Sequence, residues 1–397
     1  MRELLLESFR AAVAAADPQH ILPAHLPRRP RGRIFVAAAG KAAASMAVAA
    51  ESHYGAAVEG IAITRYGHGL PTHRVRVVEA GHPVPDSAGE AAAREIFSKT
   101  RELQEDDLLL ALLSGGGSSL LAFPIEGLGM TELKKLTSEL LRSGATIQEI
   151  NTVRKHLSAI QGGRLAAACR APVLALIISD VTGDEPTHIA SGPCAPDPTT
   201  VADAKAILAK YGIDYRGPFS ETPKPGDPVF AKTTDKVIAT AYRSLEAAAE
   251  VFRRQGIKPV ILGDTITGEA REVGREMAQL ARRTGAPAAL ISGGECTVTI
   301  KGDGGRGGRC AEFLLSLGVE LDGLPNVWAI AADTDGIDGS EDNAGAILAP
   351  DSVRRGPDAR SMLEKHDSYG FFSALGDLVI TGPTRTNVND YRAIVVA

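Results

Sequence analysis

A chain of 397 residues, 44% hydrophobic but only 5% aromatic, can bury a large aliphatic core and should divide into about two domains, which excludes a disordered or fibrous protein. The formal charge of −5 and pI near 6.0, with no Lys/Arg block interleaved with aromatics, exclude an electrostatic footprint for nucleic acid or an anionic membrane. A small-molecule partner is expected, and the four widely spaced cysteines, Cys169, Cys194, Cys296 and Cys310, form no CxxC pair, which fits reduced thiols in a cytoplasm.

The opening "MRELLLESFRAAVAAADP" is charged throughout and predicts an amphipathic helix stopped by Pro18; a signal peptide would need an unbroken apolar run. "RIFVAAAGKAAASMAVAAES" follows as strand, loop and helix, with Gly40 and Lys41 at the junction. "DLLLALLSGGGSS" is a second unit, and its glycines and serines break an uncharged run from Leu108 to Ile125 that would otherwise raise the question of a membrane span. A helix "TVRKHLSAIQGGRLAAAC", expected to start near the cap candidates Asn151 and Thr152, contains Gly162 and Gly163 and leads to the strand and acidic loop of "APVLALIISDVTGDEP". Residues 216–232, "RGPFSETPKPGDPVFAK", are dense in Pro, Gly and charge and predict a linker between a domain at 1–220 and another at 233–397. The second domain repeats the alternation in "KPVILGDTITGEAREVG", "PAALISGGE", "TVTIKGDGGRGGRCAEFLLSLG", "NVWAIAADTDGIDGS" and "DLVITGPTRTNVNDYRAIVV". Strands alternating with helices predict an α/β fold with largely parallel sheets, its ligand in the crevice beyond the strands' carboxyl ends, between the domains.

Three consecutive glycines at the end of an aliphatic strand serve a backbone need that side chains would obstruct. Gly115, Gly116 and Gly117 are either a tight turn alone or a turn that also binds an anion, with Ser114, Ser118 and Ser119 adding hydroxyls. Lys41 opens a helix, where its charge opposes the macrodipole unless an anion is near. No Walker A pattern occurs, so a P-loop fold is not expected. "KGDGGRGGRCAE", residues 301–312, sets five glycines beside Arg306 and Arg309, whose planar forks match phosphate or carboxylate oxygens. It also holds a literal GxGxxG, Gly302, Gly304 and Gly307, with Asp322 downstream and Asp333 at the next strand's end, which keeps a dinucleotide enzyme as an alternative.

Carboxylates gather in "SDVTGDEP" (Asp180, Asp184, Glu185), "SGGE" (Glu295) and "DTDGIDGSEDN" (Asp333, Asp335, Asp338). The last is no EF-hand, because Ile337 takes the fifth position and Ala344 stands where the bidentate glutamate belongs. Each Asp alone is more often a cap or turn former than a ligand, but together with Gly/Lys/Arg loops they suit Mg²⁺, which takes one or two carboxylates plus phosphate oxygens. The histidines show no metal spacing, and no GxSxG elbow supports a hydrolase.

The series "AAAGKAA", "LLSGGGSSLL", "INTVRKHLSAIQGGRLA", "LIISDVTGDEPTHIASGPCAPDPTT", "ISGGECTV", "GRGGRCAEFLLSL", "AADTDGIDG" and "TGPTRTNVNDYR" resembles, in order and over nearly the whole chain, the glycerate 2-kinase family whose C-terminal region is called MOFRL. The resemblance implies a Rossmann-like N-terminal domain, a distinct C-terminal α/β domain and an active site in the interdomain cleft. It implies phosphorylation of D-glycerate at the 2-hydroxyl with ATP and Mg²⁺, with Lys41 and Arg309 catalytic. ATP phosphates would then lie along Ser114–Ser119, and Mg²⁺ on some of Asp180, Asp184, Glu295 and Asp333. Glycerate would fall to the loops after Lys301 and Thr381, with Arg306, Thr384 and Asn387 as candidates. Cys194 and Cys310 depart from the small or polar residues expected there. Two alternatives stand beside the kinase: an NAD(P)H-dependent hydroxypyruvate reductase, a label borne by relatives of the family, and a non-catalytic binder of small anions. No membrane or nucleic-acid partner is expected, and the oligomeric state, a homo-oligomer included, stays open.

Overall fold

The computed structural model describes residues 1–300 and 304–397. Contacts divide the chain into two units: Pro18–Ile238, and a discontinuous unit of Met1–Asp17 with Ala239–Ala397.

In the Pro18–Ile238 unit the strands are β1 (Ile34–Ala39), β2 (Val58–Arg65), β3 (Val75–Ala80), β4 (Leu108–Ser114), β5 (Val173–Ile178) and β6 (Thr233–Ala239), in sheet order β3-β2-β1-β4-β5-β6. The pairs β2–β3, β1–β2, β1–β4 and β4–β5 are all parallel. "IFVAAA" and "LLLALLS" are buried along their whole length, as central strands covered on both faces must be. The chain turns outward in opposite directions from β1 and β4, so this pair is the topological switch point, and the loops leaving their carboxyl ends are where such sheets bind ligands.

Two sequence expectations differ here. The helix expected from Asn151 begins earlier, at Ile147, because Thr146 and Glu149 form a capping box, and it ends at His156. Gly162 and Gly163 lie beyond it, both left-handed, where a Cβ would strike Thr222 and Phe230. Residues 216–232, read as a linker, pack on this unit: Arg164 donates to the Ser220 carbonyl (2.9 Å), Asp197 N–H to Pro223 (3.0 Å), and Val173 N–H to Lys232 (2.9 Å). A fully buried Lys155–Asp197 ion pair (2.6 Å), with Thr222 on the second Asp197 oxygen (3.0 Å), fixes the segment from below.

The other unit carries β7 (Lys258–Gly263), β8 (Gly268–Glu269), β9 (Ala288–Ser292), β10 (Cys296–Thr297), β11 (Val327–Asp333), β12 (Gly345–Leu348), β13 (Leu378–Val379) and β14 (Asp390–Val396). Its main sheet runs β13-β12-β11-β14-β9-β7, and β8 pairs with β10 apart from it. Largely parallel pairing was expected, but in this main sheet, among the described residues, only β7–β9 is parallel; β9–β14, β14–β11, β11–β12 and β12–β13 are antiparallel, while the separate β8–β10 pair is parallel. The cause is connection length. Residues 334–344 between β11 and β12 form no helix, and a parallel return needs a crossover, usually helical. Side chains of β11 alternate between two cores. Ile330 and Ala332 face Leu5 and Phe9 of helix Arg2–Ala14 and Leu245 and Phe252 of helix Ala241–Arg254. Ala329 and Ala331 face Phe313, Leu314 and Leu317 of helix Arg309–Leu321. Among the described residues no helix is long and apolar enough to cross a membrane.

Candidate active site

At the switch point the two loops are laced together. Lys41 N–H donates to the Gly115 carbonyl (2.8 Å) and Ala42 N–H to Ser114 Oγ (3.0 Å). Gly40, at φ +132°, has no room for a side chain, since a Cβ would lie 2.1 Å from Ser114 Oγ. Gly116 is left-handed (φ +81°, ψ −11°), and its missing Cβ would sit 3.0 Å from His82 Nε2 and 3.4 Å from Lys41 Cγ. A Cβ on Gly117 would meet that of Ala190 at 2.6 Å. The glycines therefore let Lys41, His82 and the 190s turn crowd one backbone.

The serines divide by task. Ser114 ties the loops, Ser119 donates to the Gly116 carbonyl (3.2 Å), and Ser118 Oγ lies 2.8 Å from Ser191 Oγ. The helix expected after the glycines is only Gly117–Leu120, so a long-helix macrodipole is not available here. What the loop itself presents is its backbone N–H groups and the neighbouring Lys41.

In the other unit, Arg309 opens helix Arg309–Leu321 and is gripped on three sides: Nε by Asp390 (2.8 Å), Nη2 by Asp333 (2.7 Å) and Nη1 by Glu295 (3.0 Å). Burial opposes its charge, but Asp390, Asp333 and Glu295 outweigh burial and raise its pKa. Asp390 is likewise disfavoured as an anion by burial, yet Arg309 and Arg392 (2.8 Å) together hold it below the usual carboxylate range. Asp338 caps the same helix, accepting from Cys310 N–H (2.9 Å) and Ala311 N–H (2.8 Å). Full burial pushes its carboxyl up to about 7 against those two bonds.

Arg306 is exposed, ion-paired to Glu341 and stacked over Tyr369 at 4.2 Å. Thr384 and Asn387 hold loops in place: Thr384 N–H donates to the Asp335 carbonyl (3.0 Å), its hydroxyl to Thr334, and Asn387 Oδ1 accepts from Asn389 N–H (3.3 Å). Lys301 and Gly302 lie outside the described residues. Asp180 follows β5, part-buried, and Asp184 sits in a turn at φ +54°.

Of the four carboxylates named for metal, Asp180 and Asp184 belong to one unit and Glu295 and Asp333 to the other, where both pair with Arg309. Among the described residues no group of three or more His, Cys, Asp or Glu is placed to hold a metal ion.

The sequence pattern missed Asp390, which stands 81 residues from the arginine it binds, and Asp338, visible only as part of a failed calcium loop. It also missed Asn151, Arg154 and Ser191 around Ser118. Arg154 adjoins a Lys and a His in the helix, and that cluster of cations was the available signal.

A domain of unknown function (DUF4147) matches residues 4–220, and the MOFRL family matches residues 288–390. A protein of Agrobacterium vitis provisionally named hydroxypyruvate reductase is 51% identical over 418 residues, covering 100% of this chain and 94% of its own. The D-glycerate 2-kinase of Thermotoga maritima is 40% identical over 409 residues (98% of this chain, 97% of its own), and the glycerate 2-kinase of Pyrococcus horikoshii 39% over 434 (100% and 97%). The crystal structure of glycerate kinase from Thermotoga maritima superposes with a TM-score of 0.88 at 38% identity, covering 100% of this chain and 99% of that one. With both halves matched and full-length relatives at this identity, the chain belongs to the glycerate 2-kinase family of MOFRL proteins.

Proposed function

We propose that the protein transfers the γ-phosphoryl group of ATP to the 2-hydroxyl of D-glycerate, giving 2-phosphoglycerate and ADP. The observation that carries this reading is full-length identity of 39–40% to glycerate 2-kinases. The chemistry of the loops agrees with it, because phosphoryl transfer asks a protein for positioning and charge. Lys41 and the glycine loop after β4 would hold the nucleotide's phosphates, and Arg309, fixed by its carboxylates, would offer its remaining N–H donors to the transferring group. Mg²⁺, when bound, would neutralise charge on the β- and γ-oxygens; Asp180 and Asp184 would hold it, one or two carboxylates being what that ion asks of a protein. The four cysteines are free thiols, in keeping with a cytoplasmic enzyme.

The reductase reading has a close relative's provisional name behind it. Against it, the first βα turn of the Rossmann-ordered sheet, where a dinucleotide fingerprint belongs, reads "AAAGKAA". The literal GxGxxG lies in the unit with the mixed sheet instead, and a Cβ on its Gly307 would strike Ser368 Oγ at 2.2 Å. A purified sample given D-glycerate, ATP and Mg²⁺ should form ADP and 2-phosphoglycerate. NADH oxidation by hydroxypyruvate without ATP turnover would overturn the kinase reading.

A further inference from the structure

Helix Ile147–His156 carries a guanidinium that, among the described residues, has no carboxylate paired with it. Arg154 is part-buried, and its Nη1 donates to Asn151 Oδ1 (3.0 Å). Its neighbours show the contrast: Lys155, next in sequence, has Asp197 at 2.6 Å, and His156 has Glu221 at 3.2 Å. Burial alone pushes the Arg154 pKa down to about 10. A guanidinium withdrawn from water without a counter-charge is stabilised by any anion that can reach it.

Its surroundings are built. Asn151 Oδ1 also lies 3.0 Å from Ser191 Oγ, Ser191 Oγ lies 2.8 Å from Ser118 Oγ, and the Asn151 amide donates to the His188 carbonyl (3.2 Å). Both Asn151 and Ser191 are buried. Ser191 is held there by an unusual backbone: Ala190, Ser191 and Gly192 are consecutive left-handed residues, at φ +51°, +57° and +56°. Two of these are not glycine, a conformation that persists only where the surroundings enforce it. Gly162 N–H on the Ser191 carbonyl (3.0 Å) and Gly163 N–H on the Gly192 carbonyl (2.7 Å) do so. Arg154, Ser118, Ser158, Gln161 and Thr137 line a cavity with room for about one water. That space admits a single oxygen of a ligand, and apolar Pro85, Ala122, Phe123, Leu133 and Leu157 complete its wall.

Resting on the kinase reading above, we infer that Arg154, aided by Ser118 and Ser191 and oriented by Asn151, binds the carboxylate of glycerate. Arg306, named from sequence for substrate, is exposed, with Nε and Nη2 on Glu341 and its face over Tyr369. The carboxylate would thus be anchored at the end of the same loop proposed to cradle the nucleotide's phosphates, in the Pro18–Ile238 unit.

The test uses the full-length protein, with steady-state kinetics and calorimetric titration of D-glycerate in the absence of nucleotide. Arg154→Lys keeps the charge and loses the fork; its KM for D-glycerate should rise roughly 10- to 100-fold, with calorimetric affinity falling in step and KM for ATP within about threefold. Asn151→Asp, nearly isosteric, would place a competing carboxylate against Nη1 and should also raise the glycerate KM, which guards against misfolding of the first variant. A glycerate KM unchanged in both folded variants overturns the inference, as does a rise in KM for ATP instead. A parent protein that turns over no glycerate with ATP would overturn the kinase reading itself, a separate result visible before any variant is made.

Discussion

Asp333 and Asp390 are register partners across β11 and β14, and both close on the guanidinium of Arg309. Each is almost wholly buried, while the third partner, Glu295, is about half exposed. The clamp therefore has two fixed jaws and one wet one, and the three carboxylates are not equivalent.

Asp390→Asn should cost about 3–5 kcal/mol, because it leaves Arg309 and Arg392 buried with too little negative charge. Glu295→Gln should cost about 1 kcal/mol or less, as exposed ion pairs do. Urea denaturation of both variants checks the ranking; equal losses would show that Glu295 is as much a part of the buried clamp as Asp390.

Arg309→Lys retains a charge but cannot reach three carboxylates at once, so it should lower kcat by roughly 100-fold or more while leaving ATP affinity within a few fold. Arg306→Lys, at an exposed and stacked site, should do less. The reverse ranking in folded protein, or an Arg309→Lys effect confined to the KM for glycerate, would remove Arg309 from phosphoryl transfer.

Gly116→Val should weaken ATP binding more than glycerate binding. A branched side chain would be strained at φ +81° and would press on His82 and Lys41. Fluorescence or calorimetric titration with ATP reads the effect; unchanged nucleotide affinity in a folded variant would detach this loop from the nucleotide.

Asp338 supplies a pH signature. Its folded pKa, about 7, lies above its ordinary value of 3.8, so the folded state binds the extra proton between those limits. The resulting stabilisation is complete below about pH 3.8 and is lost as pH rises through 7. The stability of the parent minus that of Asp338→Asn should therefore grow on acidification, by roughly 1–3 kcal/mol between pH 8 and pH 5. Denaturation curves at several pH values check this; a difference that is flat, or shrinks, means the carboxyl titrates normally.

Much of this site was legible because its residues announce local constraints. Strands buried on both faces read as unbroken aliphatic runs, as in "LLLALLS", and glycines at their ends mark crowded backbone, so β1, β4 and their loops could be found from pattern alone. Strand direction could not, since composition does not encode it; the brevity of residues 334–344 was the clue to β12 running back along β11. Partners distant in sequence were equally hidden. Nothing in "NVNDYR" marks Asp390 as the counter-charge of Arg309, and Arg154 looks like one more surface cation until it is seen, among the described residues, without an ion pair beside the buried pair of Lys155.

The segment Met1–Asp17 packs with Ala239–Ala397, Phe9 lying 6.0 Å from Tyr391 and Ser8 accepting its hydroxyl at 2.8 Å. Synthesis proceeds from the amino end, so helix Arg2–Ala14 is made well before the elements it packs on. Pro18–Ile238 can complete its own sheet on the ribosome, whereas helix Arg2–Ala14 keeps its apolar stripe only partly covered until helix Ala241–Arg254 and then β14 have been made. The clamp on Arg309, whose jaw Asp390 is the first residue of that strand, is completed only once β14 has been made.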